Sequence, residues 1–249
     1  MTDRNHIYRN EWKYLISAPE ADLMRLRLTP FLSLDPHASD GGYEIRSLYF
    51  DDHKNSAYVQ KLMGVYDRKK WRIRIYNFSD LKISLERKMK RGSYIYKETA
   101  DLTRDEFEMI LAGDHDFLLK REENLCREFY IECRCNLLRP KLIVDYTRIP
   151  FVMDEGNVRI TFDSGVAAAV GGFDIFDRNL PRLPVLTPDK TVLEVKYTEF
   201  LPEIIKELLV TPGQEFTAYS KYVACFEAAH HLADVSAGIS KTYMGWRNQ

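Results

Sequence analysis

Along much of the chain, charged and apolar side chains alternate in short runs. Residues two apart on a strand share a face. Over 69–76 this puts Lys70, Arg72, Arg74 and Tyr76 on one face and Trp71, Ile73 and Ile75 on the other. Over 8–14, Arg9, Glu11 and Lys13 oppose Tyr8, Trp12 and Tyr14. Over 81–90, Lys82, Ser84, Glu86, Lys88 and Lys90 oppose Leu81, Ile83, Leu85 and Met89, with Arg87 interrupting the apolar side. Arg159, Thr161 and Asp163 oppose Val158, Ile160 and Phe162, and Glu194 and Lys196 oppose Leu193, Val195 and Tyr197. The predicted strands are 6–16, 43–51, 69–78, 81–90, 93–100, 138–149, 157–163 and 191–198.

Longer periodic segments between them predict helices over 19–33, 52–63, 103–112, 114–136, 200–210 and 217–233. Thr103 and Glu106 have capping-box spacing, Asp51 and Asp52 can cap the second helix, and Pro202 suits a first turn. The stretches 35–42 and 164–190 hold the glycine and proline punctuation of loops or lids within one domain, 1–249. The fold class is α+β.

Any one alternating strand is explained by an antiparallel sheet with a solvated face. Five of them are not, because Lys and Arg recur in register. Like charges about 7 Å apart on one face repel, and an anion lodged among them relieves the repulsion. The opposite faces carry Trp12 and Trp71 and need cover, which helices supply. The expected architecture is an antiparallel β-barrel with helices packed on the outside and a polar tunnel within. Glu11, Glu86, Glu194 and Asp163 either neutralise the lysines or hold a divalent cation.

Composition narrows the function classes. Net charge is −1, so there is no global basic field for nucleic acid. No apolar run reaches the ~18 residues of a membrane helix, and the N-terminus lacks a signal core, so a cytoplasmic protein is expected. The four cysteines lack C-x-x-C spacing, which argues against zinc. The histidines are scattered, and neither a P-loop nor a Gly-x-Ser-x-Gly elbow occurs.

Eight blocks then occur in order: Arg9-Asn-Glu-Trp-Lys-Tyr14, Arg46-Ser-Leu-Tyr-Phe-Asp51, Trp71-Arg-Ile-Arg74, Leu85-Glu-Arg-Lys88, Arg139-Pro-Lys through Asp145-Tyr-Thr-Arg148, Arg159-Ile-Thr-Phe-Asp163, Leu193-Glu-Val-Lys196 and Ser220-Lys-Tyr222. Together they resemble the VTC domain, the polyphosphate polymerase branch of the CYTH-like triphosphate tunnel superfamily. The resemblance implies a basic tunnel, a nucleoside triphosphate donor, a divalent metal (Mn or Mg) and a polyphosphate product. It places Lys13, Arg72, Arg74, Lys88, Arg148, Lys196 and Lys221 among the phosphate-binding residues, with Glu194 on the metal. Arg9, Arg46 and Arg159 extend the phosphate-binding set, and Glu11 and Glu86 the metal set. Arg72, Arg74, Lys88 and Lys196 are the expected catalytic residues. The wider superfamily opens on paired glutamates, whereas Lys13 holds the second slot here, which argues against a plain adenylate cyclase. No SPX-type domain is evident, so any membrane translocation would need a membrane-protein partner. Hydrolysis of a triphosphate or polyphosphate, and non-catalytic polyphosphate sensing, stay open beside polymerisation.

Overall fold

The computed structural model describes residues 10–39, 41–92, 94–211 and 213–232. The strands are β1 (Asn10–Ser17), β2 (Ser33–Leu34), β3 (Tyr43–Asp51), β4 (Asp67–Tyr76), β5 (Ser79–Arg91), β6 (Tyr94–Leu102), β7 (Arg139–Met153), β8 (Val158–Ala169), β9 (Arg182–Pro184), β10 (Lys190–Tyr197) and β11 (Glu215–Phe216). The helices are α1 (Ala18–Leu28), α2 (Ser56–Leu62), α3 (Arg104–Ala112), α4 (Asn124–Cys135), α5 (Glu203–Leu208) and α6 (221–232). The capping boxes are Ser17 with Glu20 on α1 and Thr103 with Glu106 on α3. The carboxylates of Asp51 and Asp52 accept from the backbone N–H groups of Ala57 and Ser56, both at 2.9 Å, and so hold the start of α2.

All strands join one antiparallel sheet in the order β11-β1-β10-β8-β7-β3-β4-β5-β6, with β2 added to β7 and β9 to β8. The expected barrel is not closed, for among the described residues no backbone ladder joins β6 to β1. One edge of β1 is taken by β10, and β11 occupies the other at Tyr14 and Leu15. β6 still lies beside β1. Side chains span the gap there, with Lys88 Nζ of β5 donating to Glu11 Oε1 of β1 at 3.0 Å. The sheet is thus curled round a furrow.

Four helices cover the outer face, as the alternation demands. Met24 and Leu28 of α1 and Ile205 of α5 pack on Ile160, Phe162, Leu193 and Val195. Phe107 of α3 and Phe129 of α4 pack on Phe50, Trp71, Ile73 and Leu85. Arg87, the interruption on this face, is satisfied by Glu98 and Glu128 and lies over the Trp71 ring.

Helix α6 departs from the expectation that helices pack outside. Tyr222, Cys225 and Phe226 enter the concave face and pack with Tyr49, Leu142, Val144 and Val192. Tyr58 of α2 stacks on Phe226 at 4.3 Å. The cause lies in the strands, since these inner positions of β3, β7 and β10 are apolar and would otherwise face water. The 164–190 stretch is also less loop-like than expected, because β8 continues to Ala169 and pairs with β9.

Candidate active site

Two charged walls face each other across the furrow. On β1, β8 and β10 the antiparallel register sets Lys13 opposite Glu194, Glu11 opposite Lys196, Glu194 opposite Thr161 and Lys196 opposite Arg159. Glu194 is the hub of this wall. Its carboxylate accepts from Lys13 at 3.0 Å, Lys196 at 2.8 Å and Lys221 at 3.2 Å, with Arg148 at 3.6 Å. Burial alone would raise its pKa, but these four cations hold it well below the carboxylate range. Asp163, fully buried, takes both prongs of Arg148 at 2.7 Å and Lys221 at 2.5 Å. Lys221 thus fixes the first turn of α6 to the wall.

On the other wall Arg72 donates to Glu86 Oε2 at 2.6 Å and to the Tyr49 hydroxyl at 3.0 Å. Arg74 donates to Ser47 Oγ at 3.1 Å and to the Tyr146 hydroxyl at 3.0 Å. Lys97 of β6 reaches Glu86 Oε1 at 2.9 Å. These partners hold the guanidinium forks in place before any anion arrives.

Lys70 differs from all of these. Its ammonium meets Ser220 Oγ at 3.1 Å and lies 4.9 Å from the Tyr222 ring centroid, with no carboxylate in ion-pair contact among the described residues. Burial, then the nearby Lys88 and Lys13, push its pKa well below the ordinary lysine value. Lys88 is pushed down to about 7 by burial, with Lys13 and Lys196 adding repulsion that Glu11 only partly offsets. For Lys70, a partly desolvated cation without a carboxylate beside it among the described residues, this is costly.

The structure therefore brings Lys13, Arg72, Arg74, Lys88, Arg148, Lys196 and Lys221 onto one concave face. Arg159 reaches it too, tied to Asp35 at 2.8 Å and to the Tyr43 hydroxyl at 3.0 Å. Arg46 does not. It pairs across the outer face with Asp145 at 2.8 and 2.7 Å and stacks 4.5 Å from the Phe78 centroid, so an expected phosphate contact is lost to a structural ion pair. Arg9 lies outside the described residues. Lys70, Lys97, Tyr49 and Tyr146 join the furrow although the sequence-derived site omits them. Lys70 was legible from the Lys70, Arg72, Arg74 stripe, whereas Tyr49 and Tyr146 lie on strands that carry no such stripe.

The metal set is likewise divided. Glu11 and Glu194 share Lys13 and Lys196, within 3.7 Å in each contact. Glu86 belongs to the opposite wall, and no group of three metal-type side chains forms among the described residues. Beside Glu194, the buried Thr161 Oγ1 has no hydrogen-bond partner among the described residues. Two carboxylates and an unpaired hydroxyl are hard oxygen donors. They fit the way magnesium or manganese is held, by one or two carboxylates with substrate phosphates completing the shell.

This geometry defines a class, an antiparallel sheet wrapped round a furrow in which basic side chains outnumber carboxylates. The VTC domain family model matches residues 8–230, and the chain belongs to that family. Among solved structures it is similar in fold to the Hippeastrum protein HpAC1, with a TM-score of 0.51 and 17% identity over 89% of this chain and 96% of that one. A dominant triphosphatase activity is reported for HpAC1. A Bacillus halodurans protein aligns with a TM-score of 0.48 and 14% identity over 78% and 81% of the two chains. No curated protein sequence matches the chain.

Proposed function

We propose that the furrow binds a chain of phosphates and transfers phosphoryl groups, extending polyphosphate from a nucleoside triphosphate. The observation that carries this reading is Lys70, a half-buried ammonium facing other cations with no carboxylate in ion-pair contact among the described residues. An anion between the walls would meet Arg72 and Arg74 on one side and Lys13, Lys88 and Lys196 on the other. Phosphoryl transfer needs little covalent chemistry from the protein, because positioning and electrostatic stabilisation supply most of the rate. The preset forks of Arg72 and Arg74 would orient donor phosphates. Lys13, Lys88 and Lys196 would offset the charge that builds on the leaving oxygens. Glu11 and Glu194, with the Thr161 hydroxyl, would hold magnesium or manganese. When bound, such a cation adds charge neutralisation on phosphate oxygens.

Water in place of a phosphate chain as acceptor would give hydrolysis, the activity reported for HpAC1. One assay separates the outcomes. Purified protein is incubated with ATP and Mn²⁺ or Mg²⁺, and products are resolved by length. Long-chain polyphosphate supports polymerisation, and free phosphate alone supports hydrolysis. Tight polyphosphate binding without turnover supports a sensor.

A further inference from the structure

At the end where β4 begins and β5 ends, a second basic group lies beyond the walls. Arg68 of β4 and Lys90 of β5 are cross-strand partners two residues outward from Lys70 and Lys88, on the same face. Lys61 of α2 completes the group, and α2 packs against β4. Burial lowers the Lys61 pKa, and repulsion from Arg68, Lys90 and Lys13 adds to the effect. Among the described residues none of the three has a carboxylate in ion-pair contact, and Arg68 donates only to the Val65 carbonyl, at 2.6 Å. All three are half-buried.

A backbone hydrogen bond ties together the frame that holds them. Gly92, at the β5–β6 turn with φ of 59°, donates its N–H to the Tyr66 carbonyl at 2.9 Å. A Cβ at Gly92 would come within 2.8 Å of the exposed Tyr66 ring, and the positive φ strains any residue but glycine there. The opposite end of β4 is built differently. There Tyr76 packs edge-on against Tyr43, and Arg159 is already neutralised by Asp35.

We propose that Lys61, Arg68 and Lys90 form an outer phosphate subsite, through which a chain longer than a triphosphate leaves the furrow. This rests on the proposed phosphate-binding function of the furrow and adds chain length as the property being read. A triphosphate fills the inner basic groups and stops short of the outer ones. A longer chain continues past Lys70 and Lys88 onto them. Among the described residues, the end at Tyr43 and Arg159 offers no comparable row of unneutralised cations, so the chain has one preferred exit.

The test compares tripolyphosphate with a polyphosphate of tens of phosphates, using wild type and the triple variant Lys61→Gln, Arg68→Gln, Lys90→Gln. Wild type should bind the long chain at least tenfold more tightly. The variant should keep tripolyphosphate affinity within about twofold and lose most of the long-chain advantage. Its salt slope for the long chain should fall by about 2, at roughly 0.7 per lost cation on a flexible strand. Equal weakening for both lengths, or none for either, overturns the outer subsite while leaving the furrow intact. Failure of wild type to bind either chain overturns the furrow reading itself. An unchanged far-ultraviolet spectrum and melting midpoint exclude a folding defect, and Lys61→Arg with Lys90→Arg should restore long-chain binding.

Discussion

The concave face of the sheet is two surfaces in one. Towards α6 it is apolar, and Tyr49, Leu142, Val144 and Val192 are sealed by Tyr222, Cys225 and Phe226. Alongside, it carries Lys70, Arg72, Arg74 and Lys88 opposite Lys13, Lys196 and Glu194, with Lys70 lacking an ion-pair partner among the described residues. The apolar part is complete in the free protein. The charged part pairs most of its cations with Glu11, Glu86, Asp163 and Glu194 but leaves Lys70 without a carboxylate among the described residues, a deficit that an anion would offset. Proteins lose stability to hold functional groups in such arrangements, so the two parts should respond oppositely to substitution.

The largest effect should come where the two parts meet. Asp163 neutralises both Arg148 and Lys221, and Lys221 anchors α6. Asp163→Ala leaves two buried cations without that partner, and a loss of about 3–5 kcal/mol is expected. Urea unfolding monitored by tryptophan fluorescence measures it. A loss below 1 kcal/mol would show that the charged wall is not coupled to the plug.

Next comes Glu194→Gln. A carboxylate repels a polyanion, so its service in a basic furrow is to hold a cation and orient lysines. Turnover should fall at least a hundredfold, in line with the several kcal/mol that a metal supplies to phosphoryl transfer. Polyphosphate affinity by titration calorimetry should be largely spared. Arg74→Ala should weaken binding and turnover together, because its contact exists in ground and transition states alike. Wild-type turnover in Glu194→Gln would remove it from the metal site.

This division was only partly legible in the sequence. The charged stripes were readable because strict alternation survives in β1, β4, β5 and β10, and Arg72, Arg74, Lys88 and Lys196 all fall on the furrow side. Strand β3 was predicted over 43–51 and occupies that range, but it is buried on both faces with apolar residues on each, so period-two reasoning could not tell which face α6 would enter. Arg46 was misassigned for the same reason. Its basic character matched the tunnel, while its parity placed it on the outer face with Leu48 and Phe50. Closure was also beyond reach, because β11 has only two residues and no sequence signal announced that it would take the second edge of β1.

A smaller effect, of opposite sign to the first, is expected at Lys70. Lys70→Met removes a half-buried charge without an ion-pair partner among the described residues and shortens the unbranched side chain by one heavy atom. The free protein should gain about 1–2 kcal/mol in urea unfolding, since apolar replacements of buried ions are often stabilising. Tripolyphosphate affinity should fall in the same variant. Destabilisation instead would mean that Lys70 has a structural role in holding Ser220 and the start of α6.

The smallest effect concerns protons. Lys88 has a pKa of about 7 in the free protein because burial, with repulsion from Lys13 and Lys196, outweighs Glu11. The sign follows from this depression. The folded state holds fewer protons at Lys88 than the unfolded chain between pH 7 and the ordinary lysine value near 10.5, so Lys88's unfavourable contribution to folding is relieved as pH rises through that window. Phosphate binding acts in reverse, since a neighbouring anion favours the charged ammonium. Binding above pH 7 should therefore take up a proton, and from this group alone affinity should drop about fivefold between pH 7 and 8. Tripolyphosphate also titrates, so the informative quantity is the difference from Lys88→Arg, which stays charged throughout. Calorimetry at pH 8 in two buffers of different ionisation enthalpy counts the protons directly. Wild type should take up more than Lys88→Arg by most of one proton. Equal uptake would mean that Lys88 is already charged in the free furrow and that Glu11 compensates it fully.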